Sequence, residues 1–267
     1  GGDDPRPGCV LERRQGRALT GSGFTPPFAS PAHVGEMLTQ QGHAVLSPQG
    51  VCELAACTEQ ELHLLVPSWN DLPPDQYLKD GGRYRRRRHS CFVIRDDQVA
   101  LAAHRAHWQP IAYNALHGGM QRWFEPVQPA VLALPQWNAL LRWTGAVASS
   151  LRGAQPWYAE AHQFRIDTTD GIGRPTPEGA HRDGVDLVAV FLVARNDVKG
   201  GETRVFEADG PNGRRFTLTQ PWSVLLLDDA RVIHESTPIQ PDGENPYRDT
   251  LVLTLRANGF QGDNGLT

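Results

Sequence analysis

The densest apolar stretch of the chain runs from Val185 to Val193, broken only by Asp186. A β-branched run of that length suits a strand buried on both faces. Ser223–Leu227 and Thr250–Leu255 read as two more buried strands, and Trp157–Asp167 as another. Helical spacing appears in three places. Ala32–Gln41 carries Val34, Met37 and Leu38 on one side, opened by Ser30-Pro31 and ended by Gly42. Thr58 opens a second helix through a capping box with Glu61, and Leu62, Leu64 and Leu65 carry it to about Pro67. A third helix is predicted from Leu134, with its stripe over Asn138–Leu151 in Leu140, Leu141, Val147 and Leu151. His43–Leu46 predicts a short strand, and residues 107–126 a loop with aromatic content and a turn at Gly118-Gly119.

The pattern is mainly β with flanking helices. Residues 1–30 are rich in Gly, Pro, Asp and Arg without periodicity and predict a flexible arm. Residues 31–267 then form a single domain, with helices and strands over 31–154 and a β core over 155–257. A net charge of −4 argues against a general nucleic-acid binder. No apolar run is long enough to span a membrane, and no charged-then-apolar signal segment opens the chain. Cys9, Cys52, Cys57 and Cys91 match no zinc spacing and predict free thiols in a reducing cytoplasm.

Candidate chemistry gathers between residues 181 and 250. Side chains at i and i+2 of a strand share a face, so His181 and Asp183 can aim an imidazole and a carboxylate at one point. His234, delivered by the strand after Leu227, can supply a third ligand. Two histidines and one carboxylate on one side of an ion leave the other side open, the arrangement of non-haem Fe(II) oxygenases. The loop Thr168–Gly179 brings the chain to His181 at a strand mouth, where function concentrates. Arg83–Arg88 is an arginine run leading into a strand-like segment. If extended, Arg83, Arg85 and Arg87 share one face, and Tyr84, Arg86 and Arg88 the other. Three readings are open: an edge strand protected by charge, an arginine entering the site to hold a substrate carboxylate, and, third because the chain is acidic, a nucleic-acid patch. The remaining histidines read as structural or surface groups, and Asp228-Asp229 as an acidic turn. No phosphate loop or nucleophile motif appears.

The order His181-x-Asp183, Gly200-Gly201-Glu202-Thr203-x-Val205-Phe206, His234 and Arg248 resembles the Fe(II)/2-oxoglutarate-dependent dioxygenase superfamily. The resemblance covers 155–257. It is nearest to the bacterial branch with free L-amino-acid hydroxylases, such as isoleucine hydroxylases, and biofilm-stress-related homologues. It implies a double-stranded β-helix (jelly-roll, cupin-like) core. It implies Fe(II) on His181, Asp183 and His234, and 2-oxoglutarate held by Arg248 with Thr250 beside it. Arg256 is the fallback on the same strand face, and Gln163 a further pocket residue. The implied reaction uses O2, converts 2-oxoglutarate to succinate and CO2, and hydroxylates a small polar substrate, a free L-amino acid first. The alternative is a non-catalytic jelly roll sensing metal and 2-oxoglutarate in a stress or biofilm response; a protein or nucleic-acid hydroxylase comes third. No membrane or nucleic-acid partner is expected, and a homodimer is the default assembly.

Overall fold

The computed structural model describes residues 18–20 and 25–263. In chain order these form β1 (Ala18–Thr20), α1 (Val34–Gln41), β2 (His43–Leu46), α2 (Pro48–Ala55), α3 (Glu59–His63), β3 (Arg85–Arg95) and β4 (Gln98–Leu101). Then follow α4 (Pro129–Leu132), α5 (Pro135–Arg152), β5 (Trp157–Asp167), β6 (Leu187–Asn196), β7 (Val198–Gly200) and β8 (Thr203–Glu207). The last elements are β9 (Asn212–Phe216), β10 (Val224–Asp228), β11 (Val232–Ser236), β12 (Ile239–Pro241) and β13 (Tyr247–Arg256). Most of the expected arm, including Cys9, lies outside the described residues. Its described part is not loose, because β1 pairs in parallel with β9 and Phe28 bridges Val45.

Two sheets face each other as a jelly roll. The larger has the order β2-β10-β6-β13-β5-β3-β4, and the smaller β1-β9-β8-β11. Strand parity divides the core in two. Leu187, Ala189, Phe191 and Val193 of β6 point outward and pack with Leu140, Leu141 and Val147 of α5. Val188 and Leu192 point inward and meet Val205, Phe216 and Val232 of the smaller sheet. Burial on both faces explains why β6 reads as one unbroken apolar run.

The local signals hold at the helix ends. Gly42 adopts φ 78°, the left-handed geometry that ends α1. The capping box of Thr58 and Glu61 is formed in both directions, at 3.1 and 2.8 Å. The third helix begins earlier than its stripe, at Pro135, where a proline's missing N–H costs nothing. α2 was not anticipated; Ser47 caps it by accepting from the Gly50 N–H at 3.2 Å.

The arginine run is not an edge strand. β3 pairs with β5 from Arg85 to Ile94, and β4 covers Phe92–Arg95 on its other side. Ahead of β4, that side bonds to the backbone of Pro73, Asp75 and Glu125. Arg85 and Arg87 therefore turn into the barrel and are buried, whereas Arg86 and Arg88 face outward.

Candidate metal and co-substrate site

The polar side of the barrel interior is built from alternate residues of three neighbouring strands. β13 contributes Arg248, Thr250 and Thr254, β5 contributes Glu160 and His162, and β3 contributes Arg85 and Arg87. His181, Asp183 and His234 line the same cavity. His181 and His234 exchange two backbone hydrogen bonds of 3.0 Å, and their rings stand 4.7 Å apart. The Asp183 carboxylate completes the group, with Oδ1 3.6 Å from His181 Nε2 and Oδ2 3.8 Å from His234 Nε2. These separations lie beyond a good hydrogen bond. They suit atoms that share one ion.

The surroundings position two of these three residues. His181 Nδ1 donates to the Gly179 carbonyl at 2.9 Å, which turns Nε2 toward Asp183. Asp229 accepts from the backbone N–H groups of Asp183, Gly184 and Val185 at 3.0, 2.7 and 3.0 Å. The expected acidic turn thus fixes the loop that carries Asp183. Burial, and next the Asp183 charge, push the Asp229 carboxyl up to about 6. Burial opposes a charge on His181, yet Asp183 and Glu178 outweigh it and raise its pKa to about 10. Burial, followed by the charge of His181, pulls His234 down to about 4. One carboxylate therefore faces two imidazoles, only one of which takes a proton.

Arg248 lies in the same cavity. Its Nη1 donates to Ser236 Oγ at 2.9 Å, while its Nε is buried without a partner. Burial, then the nearby charge of Arg195, lowers its pKa to about 10, so it stays cationic at neutral pH. Gly201 has φ 67°, and a Cβ there would stand 3.1 Å from Arg248 Nη1 and 3.3 Å from Arg195 Nη1. The glycine keeps space beside both guanidiniums. Thr250 shares the cavity wall by parity. Gln163 does not. It points to the opposite face of β5, where its Nε2 donates to Ser68 Oγ at 2.8 Å. The pocket role expected for Gln163 is thus excluded by strand parity: its neighbours His162 and Phe164 line the cavity instead. Arg256 donates to the carbonyls of Gly259 and Phe260, so the fallback role falls away too.

A second group was missed. His89, His107, Glu160 and His162 bring four potential ligand atoms within 4.8 Å of one another. The signal existed in Glu160-x-His162, the same i, i+2 spacing as His181-x-Asp183. His89 is its cross-strand partner in β3, a register that only the fold reveals.

A family model described as 2OG-Fe dioxygenase matches residues 66–254, a span that begins well upstream of the β core and covers nearly all of it. The chain belongs to the 2OG-Fe dioxygenase family. As a member of that family it is an Fe(II)- and 2-oxoglutarate-using enzyme. Among solved structures it is similar to a bsmA homolog from Methylobium petroleophilum PM1, with 51% identity over 92% of this chain and 99% of that one, at TM-score 0.84. It shares the fold of IDO from Bacillus thuringiensis, at 18% identity, 91% and 100% coverage and TM-score 0.69. It also shares that of the Fe(II)/(alpha)ketoglutarate-dependent dioxygenase TqaL, at 18% identity, 87% and 88% coverage and TM-score 0.67. No curated protein matches the chain. Among the described residues, no helix is long and apolar enough to cross a membrane.

The 2OG-Fe dioxygenase cofactors fit the residues present. The orphaned Arg248 Nε asks for an anionic partner, and the His181–Asp183–His234 donor set asks for a cation.

Proposed function

We propose that the protein hydroxylates a small polar molecule, a free L-amino acid, using iron held by His181, Asp183 and His234. Arg248 with Thr250 takes the distal carboxylate of 2-oxoglutarate. The observation that carries this reading is Arg248. It is a cavity-lining guanidinium bonded, among the described residues, only to a neutral serine, in the same cavity as the three convergent ligands. Such a cation is poorly compensated until a carboxylate arrives, and a guanidinium fork suits that group.

Each residue then has a definite task. His181 and His234 donate Nε2 lone pairs, and Gly179 fixes the His181 tautomer. Asp183 supplies a negative ligand whose position depends on Asp229. Val190, Leu192 and Leu225 line the cavity with apolar surface and exclude water. Bound iron and 2-oxoglutarate supply, with O2, the oxidising equivalent that turns a substrate C–H into C–OH while succinate and CO2 leave.

Anaerobic titration of Fe(II) and 2-oxoglutarate, followed by visible absorbance, tests the assignment. A weak charge-transfer band should form in the wild-type protein and vanish in His181→Ala. Iron binding without the band would remove Arg248 from its role. A band with no succinate formation across a metabolite panel would leave a sensor of metal and 2-oxoglutarate.

A further inference from the structure

Three buried arginines stand in the cavity wall away from Arg248, and they are not equivalent. Arg85 and Arg87 are answered by Asp75, at 2.8 and 3.7 Å. Arg122 is only 2% exposed and has no ion-pair partner among the described residues. Its Nη2 donates to the neutral Gln109 Oε1 at 3.2 Å, and its Nε is buried without a partner. A guanidinium kept dry on one neutral hydrogen bond is costly unless an anion completes it. Gln109 also donates to Asp183 Oδ1 at 3.4 Å, so one side chain separates Arg122 from the candidate iron ligand.

A half-used anion lines the same cavity. Glu160 Oε1 accepts from His89 Nε2 at 2.8 Å and from His107 Nδ1 at 3.1 Å. Burial is the largest influence on both imidazoles and keeps them neutral, with His107 at about 4. They orient the carboxylate without cancelling its charge. No donor among the described residues takes Oε2 of Glu160.

We propose that Arg122 and Glu160 form a receptor for a zwitterion: Arg122 takes the carboxylate of a free α-amino acid, and Glu160 Oε2 takes its ammonium. The inference rests on the hydroxylase reading above and deepens it, by naming the two groups that recognise the substrate. Two poorly compensated guanidiniums in one cavity call for two carboxylates. Arg248 answers the co-substrate, and Arg122 the substrate. Holding both backbone groups of an amino acid at this wall leaves only its side chain to reach the iron. The carbon hydroxylated would therefore belong to the side chain.

The test uses the full chain loaded anaerobically with Fe(II) and 2-oxoglutarate. Each of the twenty common L-amino acids is added, and perturbation of the visible band is recorded. At least one should perturb it. Its amino alcohol, which lacks the carboxylate, and its N-acetyl form, which lacks the ammonium, should each bind on the order of 100-fold more weakly. Arg122→Gln should erase the preference over the amino alcohol, and Glu160→Gln the preference over the N-acetyl form. Arg122→Lys, which keeps the charge and loses the fork, should restore part of the first preference. The band itself reports whether each variant has folded, and the analogue series in wild-type protein needs no variant. A normal band that no amino acid perturbs would overturn the receptor and leave the cofactor site standing. Unchanged preferences in folded variants would overturn it as well. So would a second metal ion per chain that Glu160→Gln removes. A band that never forms fails the hydroxylase reading first, and the receptor with it.

Discussion

Two clusters of histidine and carboxylate stand at one cavity, which all their residues but His89 line, and they are built to opposite ends. His181, Asp183 and His234 converge at 3.6 and 3.8 Å with their ligand atoms turned toward each other, and the His181 tautomer is set from outside by a backbone carbonyl. His89, His107, Glu160 and His162 are as close together but already bonded. Glu160 Oε1 takes the protons of His89 and His107, and Arg87 donates to His162 Nδ1 at 2.8 Å. An arginine is always a donor, so neutral His162 must carry its own proton on Nε2 and has no lone pair left for an ion. Arg87 and Arg122 also surround this group with positive charge. Proximity of ligand types therefore does not make a metal centre. What separates the clusters is where the protons lie and which charges stand behind them.

Metal stoichiometry should break or confirm that distinction with the largest effect. Wild-type protein should bind one Fe(II) per chain, measured by elemental analysis after desalting. Asp183→Ala should bind none and lose succinate formation by about 1,000-fold or more, since two imidazoles alone do not fix the ion. His162→Gln should still bind one. Two ions in the wild-type protein, or loss of iron in His162→Gln, would make the clusters alike.

Arg248→Gln comes next. It leaves the three candidate ligands in place and removes the cation beside them. Iron occupancy should persist, and the KM for 2-oxoglutarate should rise about 100-fold, within the range for truncating one partner of a buried charge pair. A KM within threefold of wild type would show that another cation, such as the neighbouring Arg195, holds the keto acid.

The first cluster was legible in the sequence because its parts sit on strand mouths with short-range spacing. His181-x-Asp183 is read from strand parity, yet the structure puts only His181 in a β-bridge, to His234, and carries Asp183 on the loop that Asp229 holds; the short spacing still brings the two together. β6, β10 and β13 are visible as buried apolar runs. Gln163 shows where parity alone fails: it was placed one face away from its true position, because no local signal tells which face of β5 turns inward. The second cluster depends on register between β3 and β5 and on the irregular segment that brings His107 beside Glu160. Arg122 likewise reads as loop polarity until the fold buries it. A hydrophobic pattern reports what packs outward; polar residues that line a cavity interrupt that pattern and look like solvent-facing positions.

The smallest effect concerns protons, and it separates the clusters in stability instead of turnover. Burial lowers the pKa of His107 to about 4, while an unfolded chain holds its imidazole near the ordinary value of 6.5. As pH falls below 6.5 the unfolded state takes up a proton that folded His107 refuses. Stability is thus fully present above about 6.5 and is lost progressively down to about 4. His107 alone would cost roughly 2 kcal/mol at pH 5. His89 and His162 are shifted in the same direction, also by burial first. Urea midpoints at pH 7.5 and pH 5 should therefore fall steeply in the wild-type protein. They should fall less in His107→Gln, even though that variant is weaker at neutral pH through the lost bond to Glu160. An equal fall in both would mean that the folded protein accepts the proton on His107, and that Glu160 is held by an imidazolium instead of a neutral donor. The carboxylate would then be compensated from within its own cluster, as Asp183 is by His181, and the contrast between the two groups would narrow to geometry alone.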